Sequence, residues 1–238
     1  MIELELADGL AVVTINRPHA RNAIALDTMD ELGKAIDGAA GARALVITGA
    51  GDRAFVSGGD LKELAALRTV AQAAAMANRM REVCDKLEHF PGPVIAALNG
   101  HALGGGAEVA VAADIRIAAD DIKIGFNQVS LAIMPAWGGA ERLSRLIGRS
   151  RALLLAGSGE ILSAAAAERL GLVDRVLPRA DFDAGWRALA RVLANPSARA
   201  IKRVVDGASP QEAVAAFAEL WVADAHWAAA GRVMNRGK

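Results

Sequence analysis

Short, nearly uninterrupted apolar runs alternate along the chain with longer segments of helical periodicity. The apolar runs predict β-strands at 10–15, 43–48, 93–98, 114–118 and 122–126. Because apolar and polar positions hardly alternate within these runs, both faces of each strand are expected to be covered by other elements. This is typical of a largely parallel sheet with helices packed on it.

The segments between the strands have helical patterns and recognisable helix signals. Asp27 and Ser163 stand at positions suited to N-caps, and a Pro-Gly-Pro run at 91–93 ends a long alanine-rich helix. The predicted helices span 27–38, 67–89, 105–112, 137–147, 149–156, 164–170, 183–194 and 211–234. Strands and helices alternate to about residue 178, which predicts an α/β core followed by a helical region. The last helix carries Trp221 and Trp227, and it could cover its own core or contact a neighbouring subunit.

Charge and composition exclude some classes of partner. The chain has 238 residues, 53% of them hydrophobic, with 27 Lys plus Arg against 27 Asp plus Glu. A chain of this kind folds as a globular unit with no net field that would attract nucleic acid or an anionic membrane. A polyanionic ligand would therefore need a local cluster of basic side chains.

Features near the N-terminus and the cysteine content predict a cytoplasmic protein. The first residues lack the basic and apolar regions of a signal peptide, and no apolar run is long enough to span a bilayer. Cys84 is the only cysteine, which excludes an intrachain disulfide, and its place in an amphipathic run favours a core position.

A first glycine-rich segment lies at 54–62, where a strand-like run leads into Gly58, Gly59 and Asp60. Glycines at a strand-to-helix turn let the backbone approach a ligand closely and leave N–H groups pointing outward. When this segment is considered alone, a plain glycine turn followed by an aspartate N-cap is the favoured explanation.

A second segment, at 99–114, places Gly104, Gly105 and Gly106 at the start of a helix that carries Glu108. Each glycine costs a helix roughly 1 kcal/mol relative to alanine, so three together suggest a close backbone approach. The free N–H groups at a helix start suit a developing oxyanion. Glu108 lies about one turn further and precedes an apolar run, so a buried carboxylate is expected there.

Two other motifs have weaker signals. The segment 125–142 contains Pro135, Trp137 and two glycines, and is predicted to be a tight turn that opens a helix, with Trp137 packed beside it. The segment 49–54 matches a dinucleotide-binding glycine pattern, but a strand-like run follows it where a helix would be required.

Five segments together resemble the crotonase superfamily, the enoyl-CoA hydratases and isomerases. They are NRPHARNA at 16–23, AFVSGGDLKEL at 54–64, NGHALGGGAEVAVAADIRIA at 99–118, MPAWGGAERL at 134–143 and GEILSAAAAERLGLVDRVLP at 159–178. They occur in the order of the family's signatures and cover nearly the whole chain.

The resemblance implies a fold, an assembly and a substrate. The fold would be α/β, with a crotonase (ClpP-like) ββα-spiral core over 1–180 that binds acyl-CoA and a helical oligomerisation region over 181–238. Family members of this kind form trimers, often paired into dimers of trimers. The substrate would be an acyl-CoA thioester, with no metal and no cofactor apart from the CoA that the substrate carries.

The resemblance also implies roles for individual residues. Gly59 and Gly105 fall at the two main-chain donors of an oxyanion hole, and Glu108 falls at a catalytic glutamate. Gln128 stands where the hydratases place a second glutamate, and an amide cannot donate a proton as a carboxylic acid does. The residues expected to contact the CoA or the acyl group are Arg17, Arg21, Ala23, Asp60, Leu61, Lys62 and Trp137.

Hydration of a 2-enoyl-CoA in acyl-CoA or fatty-acid metabolism is the leading hypothesis, with three alternatives. The turn at 135–139 resembles that of ethylmalonyl-CoA decarboxylases, so decarboxylation of ethylmalonyl- or methylmalonyl-CoA comes second. Isomerisation of a 3-enoyl-CoA comes third, because the isomerase glutamate usually stands at the position of Gln128. A non-catalytic acyl-CoA binder would retain the glycines, but Glu108 argues against it.

Overall fold

The structure, a computed structural model, describes residues 1–235. The strands are β1 (Ile2–Ala7), β2 (Leu10–Ile15), β3 (Ala44–Gly49), β4 (Ala54–Val56), β5 (Val94–Leu98), β6 (His101–Leu103), β7 (Ile115–Ala119), β8 (Lys123–Gly125), β9 (Ile161–Ser163) and β10 (Arg175–Leu177). The helices are α1 (Leu26–Gly38), α2 (Leu61–Leu64), α3 (Val70–Glu88), α4 (Gly105–Ala110), α5 (Gly139–Ile147), α6 (Arg149–Ser158), α7 (Ala164–Leu170), α8 (Phe182–Leu193), α9 (Pro196–Val205), α10 (Pro210–Val222) and α11 (Asp224–Met234). Short 3-10 turns occupy Pro18–Ala20, Asn127–Leu131 and Arg179–Asp181.

Two sheets organise the fold. One has six strands in the order β1-β2-β3-β5-β7-β10, and the other has four in the order β4-β6-β8-β9. Successive strands alternate between the sheets, because β3, β5 and β7 in the larger sheet are followed by β4, β6 and β8 in the smaller one. The chain thus advances as a spiral of two strands and a connecting segment, as the sequence predicted.

The strands at the centre of the larger sheet are buried on both faces. All six residues of β3 and all five of β5 are buried, and β3 pairs in parallel with both β2 and β5. Helices cover both faces of such strands, which explains why their sequences show no alternation. The continuous core also includes Phe182 and Trp186 of α8, so this helix belongs to the packed core. A functional division at residues 180 and 181 stays a prediction.

The predicted start of the helix at 67–89 was wrong. Residues 67–69 lie outside any helix, and α3 begins at Val70 after a capping box in which Thr69 and Gln72 satisfy each other's backbone N–H groups. The prediction of an aspartate N-cap for α1 was also wrong. Residue 25, an alanine, precedes α1 without a side-chain cap, and Asp27 lies inside its first turn.

The C-terminal region differs from the single predicted helix at 211–234. Ala223 has extended dihedral angles and separates α10 from α11, and no glycine or proline marks this break. The helix α9 was not predicted, although Asn195 caps it and Pro196 occupies its first turn. Neither α10 nor α11 has a buried residue, so this pair of helices is the most exposed part of the described chain.

Candidate active site

The glycines at the start of α4 permit two close contacts that a side chain would prevent. A methyl group on Gly105 would lie 2.1 Å from Cζ3 of Trp137, and one on Gly106 would lie 1.9 Å from the Val56 carbonyl oxygen in β4. Gly104 precedes the helix with a φ of 55°, in the left-handed region. The helix is therefore packed tightly between β4 and the indole ring, and every residue of α4 is buried.

Glu108 on α4 is the buried carboxylate that the sequence predicted. Its side chain is in the core, with the residue only 2% exposed. Oε2 accepts hydrogen bonds from the main-chain N–H of Trp137 at 2.7 Å and of Gly139 at 3.0 Å. Oε1 accepts one from Nε2 of Gln128 at 2.9 Å. Three donors hold the carboxylate in one orientation.

The environment of Glu108 raises the pKa of its carboxyl group. Burial raises the pKa of the Glu108 carboxyl above its ordinary value, while the hydrogen bonds from Gly139, Trp137 and Gln128 oppose that rise. The effect of burial exceeds that of the donors. A carboxyl group with a raised pKa can both accept and return a proton, as acid–base catalysis requires.

Gln128 lies in the turn Asn127–Leu131 and is itself buried, with 7% of its surface exposed. Its amide nitrogen donates a hydrogen bond to Glu108, whereas its Oε1 is fully buried and accepts no hydrogen bond from any described residue. A buried acceptor without a donor is costly and marks a place where a water or a ligand hydroxyl can bind. The structure thus places Gln128 beside Glu108, as expected.

Gly59 belongs to a turn that is held by a neighbouring loop. The N–H of Ile24 donates to the Gly58 carbonyl at 2.9 Å, and the N–H of Asp60 donates to the Ile24 carbonyl at 2.8 Å. These two bonds flank Gly59 and fix its peptide planes. A side chain on Gly59 would approach Cδ1 of Leu64 to 2.8 Å, so the turn is also closed on that side.

The structure brings Gly59 and Gly105 to the same indole ring. Positions for a Cβ on Gly59 and on Gly105 lie 3.8 Å and 2.1 Å from atoms of the Trp137 ring, and a Cβ on Gly58 would lie 3.6 Å from the Gly105 nitrogen. Among residues 1–235 no oxygen accepts a hydrogen bond from the N–H of Gly59 or of Gly105. Two neighbouring main-chain donors are therefore available to one acceptor.

Arg17 has a different environment from the one that a phosphate contact would suggest. The residue is buried, its Nη1 donates to the Ala23 carbonyl at 2.6 Å, and its Nη2 lies 3.0 Å from Asp60 and 3.1 Å from Glu63. The guanidinium thus joins the 16–23 loop to the residue that follows Gly59.

The other residues expected to contact CoA surround this loop. Arg21 is exposed and has a left-handed backbone with a φ of 52°, and Lys62 and Leu61 are exposed on α2. Ala23 is buried below them, and Asp60 caps α2 by accepting from the Lys62 N–H. Arg53, at the end of the next loop, is also exposed and borders a shallow pocket together with Arg21.

The sequence did not reveal the main-chain N–H groups that hold Glu108. The helix predicted at 137–147 begins at Gly139, so Trp137 lies before it and Gly138 adopts a left-handed conformation with a φ of 86°. This turn points the N–H groups of Trp137 and Gly139 at the carboxylate. A Cβ on Gly139 would lie 2.3 Å from Cγ of Glu108, which explains why a glycine stands there. The Trp-Gly-Gly pattern was the available signal.

Residues 1–235 contain no group of three or more His, Cys, Asp or Glu side chains arranged to hold a metal ion. None of their helices combines the length and the apolar character needed to cross a bilayer.

The chain is similar to known proteins in both sequence and fold. Residues 5–219 match the family model described as enoyl-CoA hydratase/isomerase. A probable enoyl-CoA hydratase of Bacillus subtilis is 42% identical over 72% of this chain and 67% of its own length. A short-chain-enoyl-CoA hydratase of Clostridium acetobutylicum is 37% identical over 84% of this chain and 77% of its own length.

The crystal structure of an enoyl-CoA hydratase from Bacillus anthracis superposes on this chain with a TM-score of 0.83 at 32% identity, covering 92% of this chain and 89% of that one. The chain belongs to the enoyl-CoA hydratase/isomerase family, and its fold is that of the crotonase superfamily.

Proposed function

We propose that this protein adds water to a 2-enoyl-CoA to give a 3-hydroxyacyl-CoA. The observation that carries the proposal is the position of Glu108, a buried carboxylate with a raised pKa, next to two glycines whose N–H groups have no described acceptor. The names of the Bacillus and Clostridium relatives support the same reaction.

The thioester carbonyl would bind between the N–H groups of Gly59 and Gly105. Attack on Cβ moves negative charge onto the thioester oxygen, and the two donors stabilise it as an enolate. The loss of one such donor typically costs about 2.7–4 kcal/mol of transition-state stabilisation. The Trp137 ring against both glycines excludes water from one side of the oxygen and strengthens the electrostatic interaction.

Glu108 would carry out both proton-transfer steps of the reaction. Its carboxylate accepts a proton from water while the water oxygen bonds to Cβ, and the π electrons move to the thioester oxygen. The resulting carboxylic acid then returns that proton to Cα as the enolate collapses to the thioester. Water is thereby added across the double bond, and Glu108 ends the cycle ionised. A single carboxyl group suffices, so an amide at position 128 is compatible with the chemistry.

Gln128 would hold the attacking water. Its unpaired Oε1 accepts one O–H of the water, while Glu108 accepts the other, which fixes the water oxygen between two buried acceptors. The Gln128 amide also keeps Glu108 in place through its Nε2. Gln128 is thus a water-positioning group in this proposal and transfers no proton.

The test is turnover of crotonyl-CoA, followed by the loss of its enoyl absorbance and by mass spectrometry of the product. The wild-type protein should gain one water, and Glu108→Gln should lose about 10²–10⁴-fold in rate. A wild-type rate no faster than that of Glu108→Ala would end the hydratase proposal.

Decarboxylation of a 2-carboxyacyl-CoA is the second candidate, favoured by the amide at position 128. Loss of CO₂ gives the enolate directly, so no acid at this position is needed to remove a proton. Release of CO₂ from ethylmalonyl- or methylmalonyl-CoA, with no hydration of crotonyl-CoA, would select it. Isomerisation of a 3-enoyl-CoA is less favoured, because this chain has Gln128 at the position of the glutamate that isomerases usually use. Non-catalytic binding would appear as thermal stabilisation by CoA esters without turnover.

The CoA moiety would lie along the loop 16–23 and α2. Lys62, Arg21 and Arg53 are exposed cations that could meet its phosphates, and Leu61 offers an exposed apolar surface beside them. Asp60 and Arg17 would shape this surface through their buried ion pair. We propose no cofactor beyond the CoA of the substrate.

A homo-oligomer, as a trimer or a dimer of trimers, is part of the proposal. Its support is the apolar surface of α10 and α11, whose exposed large side chains are Val214, Phe217, Trp221, Val222, Trp227, Val233 and Met234. A contiguous apolar surface of this kind marks a protein–protein contact. A cytoplasmic location stays a prediction that cell fractionation would check.

A further inference from the structure

We propose that Arg142 on α5 positions Glu108 by fixing the Trp137 carbonyl between the two main-chain donors that hold the carboxylate. Its importance for turnover rests on the proposed function, whereas its effect on the Glu108 carboxyl does not.

The geometry of the turn before α5 carries the argument. Nη1 of Arg142 donates to the Trp137 carbonyl oxygen at 3.0 Å. The N–H of Trp137 precedes this carbonyl along the chain and the N–H of Gly139 follows it, and both donate to Oε2 of Glu108. The 137–138 peptide lies between the two donor peptides, so a shift of this peptide group changes the position of the donors on either side. Arg142 therefore acts on the one peptide group that links them.

Arg142 is itself held rigidly. Only 5% of it is exposed, Nε donates to Glu88 at 2.8 Å, and Nη2 pairs with the Asp85 carboxylate. Both acids are on α3. A planar guanidinium can make these bonds and reach the carbonyl at once, whereas a lysine ammonium presents one charge centre without the fork. The turn that carries the Glu108 donors is thus fixed to α3.

Two observations, one on Arg145 and one on Gly138, distinguish this role from ordinary packing between α5 and α3. Arg145 also pairs with Glu88 and so joins α5 to α3, but it is 64% exposed, and within residues 1–235 its side chain makes no hydrogen bond to Trp137. Gly138 lies beside the guanidinium, where a Cβ would approach Nη1 of Arg142 to 2.2 Å. A side chain at position 138 would therefore clash with the guanidinium group that contacts the turn.

The groups around Glu108 define the expected change in its titration. Cys84 on α3 lies near enough to interact electrostatically with both Glu108 and Arg142, and neutral Gln128 faces the carboxylate from its own turn. The hydrogen bonds from Trp137 and Gly139 lower the pKa of Glu108, so loosening them should raise that pKa further.

The first experiment compares the kinetics of Arg142→Lys with those of Arg145→Met. Arg142→Lys should lower kcat about tenfold to a hundredfold with little change in KM, because the base is displaced and the CoA contacts are not. Arg145→Met should retain the wild-type kcat. Asp85→Asn loosens the same fork without changing Arg142 and should lower kcat in the same direction.

The second experiment follows the carboxylic-acid band of Glu108 by infrared spectroscopy as a function of pH, with Glu108→Gln as the blank. The Glu108 pKa should be higher in Arg142→Lys than in wild type and unchanged in Arg145→Met. This readout needs no turnover, so it tests Arg142 even if crotonyl-CoA is not hydrated. An unchanged titration in Arg142→Lys, or an equal shift in Arg145→Met, would overturn the inference. Circular dichroism confirms that each variant is folded.

Discussion

The main-chain N–H of Trp137 donates to Oε2 of Glu108 at 2.7 Å across 29 residues of sequence. The same residue places its indole ring against Gly105, the first residue of the helix that carries Glu108. One residue thus supports the carboxylate with its backbone and borders the proposed oxyanion site with its side chain.

The pH dependence of turnover should reveal the raised pKa of Glu108. As a base, Glu108 must be ionised, so the rate should fall as the pH drops through a pKa above the ordinary glutamate value. The measurement is kcat for crotonyl-CoA across a pH series. An acid limb at the ordinary glutamate pKa would contradict the role of burial.

The same shift predicts how Glu108→Gln changes stability. Because the pKa is raised in the native state, the native state binds this proton more tightly than the unfolded chain does. The contribution of Glu108 to folding is therefore present below its unfolded pKa and is lost as the pH rises through the folded pKa. Relative to wild type, Glu108→Gln should gain Tm as the pH rises from acid to neutral. A Tm difference that does not depend on pH would refute this.

Gly105→Ala should impair catalysis through a steric clash. The new methyl group would lie 2.1 Å from the Trp137 ring, so either the ring or the Gly105 N–H must move. We expect a loss of about 10²–10³-fold in kcat, as for removal of one oxyanion donor. Gly157→Ala in α6 is the matched control, because nothing lies within 4 Å of its added methyl group. Equal rates for the two variants would be inconsistent with the proposed donor.

Trp137→Phe should change the preference for acyl length. The ring that borders both glycines becomes smaller while the backbone N–H that holds Glu108 remains. The ratio of kcat/KM for longer 2-enoyl-CoA esters to that for crotonyl-CoA should increase. Because truncating a buried Trp to alanine costs about 3–5 kcal/mol, phenylalanine is the safer substitution. An unchanged ratio across a chain-length series would remove Trp137 from the acyl site.

Arg17 and Lys62 should respond differently to substitution. Arg17 is buried with Asp60, next to Gly59, so Arg17→Lys should lower kcat by disturbing the oxyanion turn. Lys62 is exposed, so Lys62→Ala should raise KM for the CoA ester, with a smaller effect at high salt. If Arg17→Lys raised KM alone, Arg17 would be a phosphate contact, as the sequence first suggested.

The aromatic surface of α10 and α11 predicts the assembly state. The Trp221 ring lies 5.5 Å from that of Phe217 and 5.6 Å from that of Trp227. Trp221→Glu should dissociate the oligomer into monomers, measured by sedimentation or light scattering. Val70→Glu changes an exposed apolar residue outside this surface and should leave the mass unchanged. A wild-type monomer would exclude the predicted oligomer.

The sequence by itself determined the α/β class and the family, and it identified the candidate reactive residues. Short apolar runs without alternation indicate strands covered on both faces, and they placed β2, β3 and β5 within about one residue. The glycines at 104–106 and Glu108 form a local pattern, so their grouping was visible without coordinates. Strands such as β6, β9 and β10 have three residues each and are too short to leave a periodic signal.

Only the tertiary structure decided what holds these residues in place. Two of the three donors to Glu108 are main-chain N–H groups, which every residue except proline carries, so no side-chain pattern could identify them. Arg17 and Arg142 look like other arginines in the sequence, and only packing shows that these buried guanidinium groups pair with acids and main-chain carbonyls. The reactive groups are local features of the chain, whereas their orientation depends on contacts between residues far apart in sequence.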